Sequence, residues 1–564
     1  MKTLRLLPLL AVPAFALCTT FSAAASAAGN VAGVPHDPTV RDLGRAPATA
    51  RLGVAISLAY RHSEQLWALV NAISDPGSPY YGHFLNRAQF DAYFSPTAQD
   101  YRRAIVSLDR AGISVTHVYS NRELIDAAAP VSVFERYFST EIHRVAQPGF
   151  GVRYQNVVPA RAPAGVRDII NGVAGLDNVG RFHTTNHFAR SRAQSVRPNL
   201  AIPGELFGPD TGYGPAAFID AYQLPEKSAQ GKGQVSAVVI DADFLNSDLK
   251  GYLDYFGVAR SGPPTVREKI DGGPPPGLQS GDSVETTLDV ETIVSLAPAT
   301  SLYVYEFPNF SDPQYIVDAY AQVVNDDFAG TVNSSFGGCE FGFGNDGGFA
   351  QMSDDIALQG AALGITFHAS TGDAGNEGTG CSSTTVNSPA SDPHFIAVGG
   401  TSLYLNASTG AVEEELGWGG LGQEGATGGG VSSLFPLPGY QKGVANVITS
   451  GRNLPDLSFD ADPGTGESFY YDGSFEGPIG GTSLSSPIFG ASQTLLNELA
   501  GHEGGFVNPA IYRTFKQYGY ARAGVPLFRD ITEGNNGFYP ALVGYDQMTG
   551  IGAEIIGNIH PYVP

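Results

Sequence analysis

The stretch Ser301–Ser334, SLYVYEFPNFSDPQYIVDAYAQVVNDDFAGTVNS, decides the fold class. It begins with the β-rich run Ser301–Tyr305, continues with a helical pattern over Pro313–Val324, and ends with a second β-rich run at Gly330–Ser334. Short apolar strands joined by a helix are typical of parallel sheets, whose strands are buried on both faces. The stretch therefore predicts one β-α-β unit of an α/β body.

The same alternation extends on both sides of this stretch. Further strands are predicted at Val235–Ile240, Ile365–Ala369 and Phe395–Val398, and further helices at Asp282–Leu296, Phe349–Leu363 and Leu484–Leu499. Strands that alternate with helices indicate a mainly parallel sheet that is covered by helices on both faces. No glycine-rich phosphate-binding motif with its lysine accompanies them.

The residues before this body have a different pattern. Amphipathic helical patterns at Gln65–Ile73 and Gln99–Ala111 are mixed with strand-like runs at Ile113–Val118 and Arg153–Val158. This mixture predicts a small α+β unit ahead of the α/β body.

Charge divides the chain at the same place. The 564 residues carry a formal charge of −23, but residues 29–200 hold 18 Arg, no Lys and 13 acidic residues, a net of +5, whereas residues 201–564 hold 12 basic and 42 acidic residues, a net of −30. Nucleic-acid binding needs clustered cations, so the acidic excess argues against that partner. A basic segment before an acidic body suggests a propeptide that docks electrostatically. The acidic charge of the body is consistent with function at low pH, and solubility alone would also explain it.

The first residues have the pattern of a signal peptide. Lys2 and Arg5 precede an apolar run at Leu6–Cys18, and small residues follow at Ala23–Ala28. The alternative is a membrane anchor, but the run is shorter than the ~20 residues that a spanning helix needs. We therefore expect a signal peptide at residues 1–28, secretion to the extracellular space and no membrane partner.

Cysteine usage excludes a disulfide scaffold, because the chain has three cysteines and removal of the signal peptide leaves only Cys339 and Cys381. These two can pair in an oxidising compartment or remain two separate buried thiols. The segment 183–203, HTTNHFARSRAQSVRPNLAIP, is polar, rich in Arg and without sustained apolar periodicity. It predicts an exposed linker that is open to proteolytic cleavage.

A candidate nucleophile lies in the sequence Gly480–Pro487, GGTSLSSP, which leads directly into an apolar helix. Ser483 at this junction would have its hydroxyl in the positive field of the helix N-terminus, which favours developing negative charge. A serine at this place can equally be an N-cap.

A serine nucleophile needs a side chain that accepts its proton. The body has four histidines, and all lie outside any glycine-rich turn of a catalytic type: His368, His394, His502 and His560. His368 and His394 lie in or beside apolar strands and fit hydrogen-bonded core residues. A carboxylate is therefore the candidate base. Glu285 and Asp289 are four residues apart in a helical pattern, so both project from one face and tend to share a proton. The alternatives are solvated acids on a helix, or a capping box with Asp282 as N-cap and Glu285 at its third position.

Asp373 lies in a tight turn, Ala369–Gly375, after a predicted strand. An ionised aspartate would repel an oxyanion, whereas a protonated one could donate a hydrogen bond to it. The alternative is a residue that only stabilises the turn.

In this order, the motifs resemble the sedolisin family of serine-carboxyl peptidases, of the kumamolisin and pseudomonalisin type. Glu285-x-x-Leu288-Asp289 is similar to the family's acid pair, Gly372-Asp373-x-Gly375 to its oxyanion aspartate, and Gly481-Thr482-Ser483 to its nucleophile motif. Supporting matches lie at residues 388–393, 398–401, 428–432 and 460–463, and residues 78–85 resemble the family's activation domain.

The resemblance implies a subtilisin-like, doubly wound catalytic domain at residues 204–564, after an activation propeptide domain at residues 29–182 and the linker at 183–203. It implies that Ser483 attacks the peptide carbonyl, that Glu285 accepts and returns the proton, that Asp289 orients and tunes Glu285, and that protonated Asp373 stabilises the oxyanion. The expected enzyme is an acid-acting serine endopeptidase on protein or peptide substrates. Its own propeptide would be an intramolecular inhibitor and chaperone.

The resemblance also implies one structural calcium ion. The run from Asp530 to Gly552 is similar to the family's calcium loop, with Asp530 and Asp546 as side-chain ligands and the carbonyls of Ile531, Leu542 and Gly544 as the others. Leu542 stands where the family frequently has glycine. Without the resemblance, two acids in such a loop fit ordinary turn chemistry.

Three other functions are rivals of the endopeptidase. A tripeptide-releasing exopeptidase of the same family shares all of these motifs. A catalytically silent, calcium-stabilised binding protein would not need reactive residues at all four catalytic positions, which this chain has. A glycosidase that uses Glu285 and Asp289 leaves Ser483 and Asp373 without roles.

Overall fold

The computed structural model describes residues 30–180, 182–189, 206–279, 281–340, 348–378, 381, 384–420 and 424–563. The predicted signal peptide and the later part of the predicted linker lie outside the described residues. Among the helices in these ranges, none is both long and apolar enough to cross a bilayer.

The N-terminal unit, residues 30–180, has the predicted α+β character. Its elements are β1 (Asn30–Ala32), β2 (Arg41–Arg45), β3 (Arg51–Leu58), α1 (Ser63–Ser74), α2 (Arg87–Tyr93), α3 (Ala98–Ala111), β4 (Ser114–Val118), β5 (Leu124–Pro130), α4 (Val131–Tyr137), β6 (Ile142–Gln147), β7 (Gly151–Asn156), β8 (Ala160–Arg161) and β9 (Ile170–Ala174). Strands β4, β5, β3 and β9 form an antiparallel sheet in that order.

A short crossing segment, residues 182–189, connects to the body and contains β10 (Phe182–Thr184) and β11 (His187–Phe188). β10 pairs antiparallel with Phe336–Gly338, and β11 pairs antiparallel with Ile479 and Gly480 of the body. In this part of the predicted linker His187 and Phe188 are exposed, whereas residues 183–186 are buried or half-buried, which differs from the exposed linker that the sequence predicts. Thr185 is buried, because the backbone of the segment adds itself to two strands of the body.

The body, residues 206–563, carries the rest of the elements. They are α5 (Pro215–Tyr222), β12 (Val235–Ile240), α6 (Asn246–Phe256), β13 (Val266–Lys269), α7 (Asp282–Leu296), β14 (Ser301–Glu306), α8 (Pro313–Asp326), β15 (Thr331–Ser334), β16 (Phe336–Cys339), α9 (Phe349–Leu363), β17 (Thr366–Ser370), β18 (Asn387–Ser388), β19 (Phe395–Leu405), β20 (Val412–Gly417), β21 (Gly430–Val431), β22 (Asn453–Leu454), β23 (Leu457–Asp460), β24 (Glu467–Tyr471), β25 (Ser474–Gly480), α10 (Thr482–Ala500), α11 (Asn508–Tyr518), β26 (Ala521–Arg522), β27 (Val525–Pro526), β28 (Phe528–Arg529), β29 (Ala553–Glu554) and α12 (Ile556–Ile559).

The main sheet of the body has the strand order β13-β14-β12-β15-β17-β19-β20, with β23 also paired to β19. All of these pairs are parallel except β19 with β20. The mainly parallel α/β sheet predicted from the sequence is therefore present.

Helices cover both faces of this sheet, as two successive residues of β17 show. Phe367 packs its ring on Tyr320 of α8, with 5.7 Å between centroids, whereas His368 points to the other face and bonds Ser486 of α10 at 3.0 Å. Successive side chains of a strand point to opposite faces, so α8 and α9 lie on one face and α7 and α10 on the other. The N-terminal unit packs against α8 and α9.

Two local features differ from the predicted ones or resolve an open choice. The last long helix begins at Thr482 rather than Leu484, because the chain leaves β25 through the turn at Gly481. Cys339 and Cys381 form a disulfide with their Cα atoms 5.3 Å apart, which resolves the choice between a pair and two thiols.

Candidate active site

The candidate nucleophile lies at the junction of β25 and α10, and a glycine makes this junction possible. Gly481 has φ 108° and ψ 165°, a conformation that other residues avoid. A Cβ added at Gly481 would lie 2.1 Å from the carbonyl oxygen of Thr185 and 2.6 Å from Oδ2 of Asp373. The glycine therefore permits both the sharp turn and the close approach of two other segments to Ser483.

Ser483 lies in the first turn of α10, and its hydroxyl faces a carboxylate of α7. The hydroxyl oxygen Oγ donates to Oε2 of Glu285 at 2.8 Å. Both side chains are buried. Ser483 is not the N-cap of the helix, because that position belongs to Gly481.

Glu285 and Asp289 both lie on the buried face of α7, so the alternative of solvated acids does not hold. The capping box is also absent, since the N-cap of α7 is Gly281 and Asp282 is the first helical residue. Burial, and next the charge of Asp289, raises the pKa of Glu285 well above its ordinary range. Burial also raises the pKa of Asp289, so the two carboxyls tend to share a proton.

The two acids differ in their hydrogen-bond donors. Oε2 of Glu285 accepts bonds from Ser483 and from Nδ2 of Asn186, at 2.8 and 2.7 Å. Oδ1 of Asp289 accepts a bond from the hydroxyl of Ser335 at 2.6 Å, and the side chain of Asn333 also favours the charged form of Asp289. Donors favour the charged form of a carboxyl, so they stabilise one negative charge in this pair, while the proximity of the two carboxyls favours one shared proton.

Sequence reasoning missed the residues that hold Asp289. Nδ2 of Asn333 donates to the hydroxyl of Ser335 at 2.9 Å, and that hydroxyl donates to Asp289. Both residues lie at the carboxyl end of β15, which is the end of a parallel strand where sites of α/β proteins form. That position, together with their polar character in an apolar strand, is the signal that could have identified them.

Asp373 lies in the turn after β17, close to the start of α10. Its Oδ1 accepts two bonds from Thr482, from the backbone N–H and from the hydroxyl, each at 2.8 Å. Its Oδ2 lies 3.4 Å from Nε2 of His187. Burial raises the pKa of Asp373 to about 6, against the lowering effects of His187 and Thr482. The turn thus holds, beside Ser483, a carboxyl that is protonated below a pH of about 6.

The crossing segment passes directly over this group of residues. The backbone N–H of Ser483 donates to the carbonyl oxygen of Thr185 at 3.0 Å. The N–H of Thr185 donates to Oγ of Ser483 at 3.2 Å, and the Thr185 hydroxyl lies 2.8 Å from the same oxygen. The segment thus lies in extended form in a cleft between β16 and β25, with Thr185 and Asn186 at its centre.

The histidines of the body do not reach this site in a catalytic arrangement. His368 is buried and pairs with Ser486, and burial lowers its pKa to about 3. His394 pairs with Asp354 at 2.8 Å. Both are hydrogen-bonded core residues, as the sequence suggested. The arrangement therefore offers a hydroxyl, a carboxylate base and a second carboxyl as an oxyanion partner.

The predicted calcium ligands also lie close together, in a segment that follows Ser483 in the sequence. The N–H of Gly544 donates to both oxygens of Asp530, at 3.3 and 3.1 Å, and the N–H of Leu542 donates to Oδ2 of Asp546 at 2.8 Å. Both carboxylates thus meet the loop 542–544. Leu542 is not among the residues with positive φ, so the backbone there does not require the glycine that the family frequently has.

Comparison with known proteins adds independent evidence. Residues 38–179 match the family of the pro-kumamolisin activation domain. The chain is 33% identical over 530 residues to the sedolisin of Pseudomonas sp. (strain 101), covering 90% of this chain and 86% of that protein. It is 31% identical over 541 residues to the kumamolisin of Bacillus sp. (strain MN-32), covering 92% of each.

The chain belongs to the sedolisin family of serine-carboxyl peptidases. A solved structure of Pseudomonas sedolisin, complexed with two molecules of pseudo-iodotyrostatin, matches with a TM-score of 0.55 and 30% identity, over 63% of this chain and 98% of that one. Tripeptidyl-peptidase 1 of Canis lupus familiaris is 27% identical over 527 residues, 87% of this chain and 86% of that protein. As a sedolisin-family member with an activation domain, the chain is a peptidase made with a propeptide, and its substrates are peptides.

Proposed function

We propose that this chain is a secreted, acid-acting serine-carboxyl endopeptidase that is made as a zymogen. The observation that carries the proposal is the 2.8 Å hydrogen bond from the hydroxyl of Ser483 to Glu285, a buried carboxylate on a different helix. A serine hydroxyl needs an adjacent base to become a nucleophile, and Glu285 is in hydrogen-bond reach of its proton.

In the proposed mechanism, Ser483 attacks the peptide carbonyl while Glu285 takes the hydroxyl proton. Asp289 shares the one proton of the resting acid pair and orients Glu285 from the same face of the helix. Glu285 then returns its proton to the leaving amine as the C–N bond breaks, and a water molecule releases the acyl group from Ser483 through the same proton transfers. The oxyanion of the tetrahedral intermediate receives hydrogen bonds from the N–H of Ser483 and from protonated Asp373.

The pKa of Asp373 sets the direction of the pH dependence. Because burial raises this pKa to about 6, the carboxyl is neutral and can donate below that pH, and it loses the proton as the pH rises through that value. Catalysis should therefore be present in acid and be lost towards neutral pH. On the acid side, activity should fall when the Glu285–Asp289 pair takes up its second proton.

The direct test compares activity at two pH values. The purified zymogen and the Ser483→Ala variant are incubated near pH 4 and near pH 7 with a denatured protein. We expect wild type to release peptides and to shorten its own chain only in acid, and the alanine variant to do neither. Ser492→Ala, in the same helix but bonded only to the Ile488 carbonyl among described residues, is the matched control and should remain active. Activity of Ser483→Ala equal to wild type, or activity confined to neutral pH, would rule the proposal out.

The path of the crossing segment favours endopeptidase over tripeptidyl-peptidase activity. If Thr185 supplies the carbonyl at Ser483, then Phe182 is the fourth residue on the amino side of that bond. The cleft accepts Phe182, which is buried and paired with Gly338 of β16. An enzyme that releases tripeptides must block this fourth position.

An N-acetylated peptide of ten or so residues distinguishes the two activities. An endopeptidase cuts it internally, whereas a tripeptidyl-peptidase requires a free amino group three residues before the bond. Mass spectrometry of the products gives the answer. A mature enzyme that releases only tripeptides from the unblocked peptide and leaves the acetylated one intact supports the second activity.

We also propose that the C-terminal loop holds one structural Ca²⁺. Asp530 and Asp546, with the carbonyls of Ile531, Leu542 and Gly544, would be its ligands, and all are oxygen donors of the kind that Ca²⁺ prefers. The ion would neutralise two carboxylates that already meet one loop. Addition of EDTA should lower the midpoint of thermal unfolding of the mature enzyme, and the Asp546→Asn variant should have a low midpoint that EDTA does not lower further.

We also propose that the chain is secreted, because residues 1–28 have the pattern of a signal peptide. The disulfide between Cys339 and Cys381 fits an oxidising compartment. Expression in a secreting host should give a protein in the medium whose zymogen form begins after residue 28. A zymogen that stays in the cytoplasm with residues 1–28 attached would contradict this part.

A further inference from the structure

Three carboxylates from separate elements meet where the N-terminal unit packs on the body. Asp126 lies in β5 of the N-terminal unit, Asp318 lies in α8 of the body, and Asp271 lies in the loop that follows β13. One carboxylate oxygen from each residue lies within 4.8 Å of the other two. None of these residues takes part in the candidate active site or in the C-terminal calcium loop.

The two inner carboxylates are buried, and no cation lies beside them in the part of the chain that the structure describes. Asp126 is 2% exposed and Asp318 is 0% exposed. Among the described residues, no backbone N–H or side chain outside the cluster donates a hydrogen bond to their carboxylate oxygens, and the polar groups next to them are Tyr119 and the other carboxylates of the cluster. Buried carboxylates without donors are costly, and three of them at this separation repel one another. The charged groups that act on Asp318 are Asp126 and Asp271, so protein charges worsen the cost.

The outer side of the cluster is open and offers one more oxygen. Asp271 is exposed, so solvent and ions can reach the cluster from its side. The hydroxyl of Tyr119 lies beside Asp126 and donates towards the backbone carbonyl of Asp318 at 3.5 Å. Its oxygen is a further hard donor atom beside the buried carboxylates.

We propose that this cluster binds a Ca²⁺ ion that ties the N-terminal unit to the body of the zymogen. Its ligands would be carboxylates and a hydroxyl, which select a hard cation. Two Ca–O bonds of about 2.4 Å placed end to end span about 4.8 Å, which suits the separation of the three oxygens. The proposal does not depend on the catalytic roles proposed above.

The site would exist only while the two parts are docked, because Asp126 belongs to the N-terminal unit and Asp318 to the body. The zymogen should therefore bind one more Ca²⁺ than the mature enzyme does. This difference separates the site from the C-terminal loop, whose ligands all lie in the body.

The experiment measures bound calcium in the full-length zymogen at pH 7. Uncleaved protein is prepared in the Ser483→Ala background, its full length is verified by mass spectrometry, and Ca²⁺ per chain is counted after equilibrium dialysis. Asp126→Asn and Asp318→Asn should each lower the count by one ion. Asp109→Asn, an exposed acid of α3 in the same N-terminal unit, is the matched control and should leave the count unchanged.

Asp271→Asn keeps the test decisive if the buried variants fail to fold. Asp271 is exposed and has φ 50°, a conformation that asparagine tolerates well. Its replacement should weaken binding of the extra Ca²⁺ at least tenfold and reduce the increase in the thermal midpoint that Ca²⁺ gives to the zymogen. Equal calcium content and equal Ca²⁺-dependent midpoints in Asp271→Asn, Asp109→Asn and their parent would overturn the proposal, and would indicate a shared proton in place of the ion.

Discussion

At the scale of single residues, the candidate site depends on carboxyl groups that the fold removes from water. A carboxyl in water has a pKa near 4 and is a poor base for a serine hydroxyl. Burial raises the pKa of Glu285 and of Asp289, which makes the ionised member of the pair a stronger base. Burial also raises the pKa of Asp373, to about 6, so this carboxyl stays protonated up to mildly acidic pH.

The proposed role of Asp373 can be tested with asparagine, because the amide of asparagine donates a hydrogen bond as the protonated carboxyl does. In Asp373→Asn, Oδ1 can still accept the bonds from Thr482 while the amide N–H₂ donates to the oxyanion at every pH. We expect the variant to keep activity in acid within about tenfold of wild type and to lose the fall in activity near pH 6. The measurement is the pH profile of kcat/KM of the mature enzyme.

Asp373→Ala is the control for this prediction. It removes the donor altogether and should lower kcat by about 10² to 10³ in acid, where wild type has the protonated donor, which is the usual cost of one oxyanion donor. If Asp373→Asn has the same alkaline fall as wild type, then the titrating group is a different one.

At the scale of elements, the junction between β25 and α10 places the serine. We predict that Gly481→Ala lowers the free energy of unfolding by about 1–3 kcal/mol and lowers activity at least tenfold, since its φ of 108° is strained for alanine and its Cβ would meet Asp373 at 2.6 Å. Denaturant unfolding and kcat/KM measure the two effects.

Gly501→Ala, at the other end of α10, is the matched control. Gly501 also has a positive φ, 73°, but its added Cβ would meet nothing within 4 Å. It should cost about 1 kcal/mol of stability and leave kcat/KM unchanged. Equal losses of activity in both variants would mean that the helix, and not the crowded junction, matters.

The crossing segment is the second element with a testable consequence. Because the carbonyl of Thr185 accepts the N–H of Ser483, we predict that the first cut of the zymogen falls between Thr185 and Asn186. Intact mass spectrometry after a short incubation in acid should find a released fragment that ends at Thr185. A fragment that first ends within residues 190–203 would place the cut in the later part of the linker.

At the scale of the whole molecule, two parts of opposite charge are held together. The N-terminal unit docks through donors that meet acids of the body: Nδ2 of Asn171 bonds Asp355 at 2.8 Å, and the N–H of Arg87 bonds Asp327 at 3.1 Å. In one further ion pair the acid belongs to the N-terminal unit and the cation to the body, with Asp75 and Arg513 2.7 Å apart. The net charges of +5 and −30 add a long-range attraction to these contacts.

This attraction predicts salt-dependent release of the cleaved propeptide. After the matured mixture is returned to pH 7, gel filtration should show co-elution in 0.1 M salt and separation in 1 M salt, because the screening length falls from about 10 Å to about 3 Å. Arg87→Gln removes a cation whose guanidinium donates to Asn325 of α8 and acts on the charge of Asp327, so it should separate at a lower salt concentration than wild type does. Co-elution that does not change with salt would show that apolar packing alone holds the propeptide.

Much of this protein could be predicted from its sequence, because the decisive signals are local. The apolar strands and helices of Ser301–Ser334 give β14, α8 and β15 within two residues at each end. The four-residue spacing of Glu285 and Asp289 sets their common face, since helical periodicity is a property of the chain itself. The family motifs added roles that spacing alone left open.

The tertiary structure decided what depends on distant parts of the chain. It buries Glu285 against Ser483, brings Ser335 to Asp289, joins Cys339 to Cys381, and gathers Asp126, Asp271 and Asp318 at one interface. Sequence patterns report which residues share a face, but not what that face meets. Dielectric surroundings, hydrogen-bond partners and neighbouring charges come from segments that are up to hundreds of residues away, and these surroundings decide the pKa of each carboxyl.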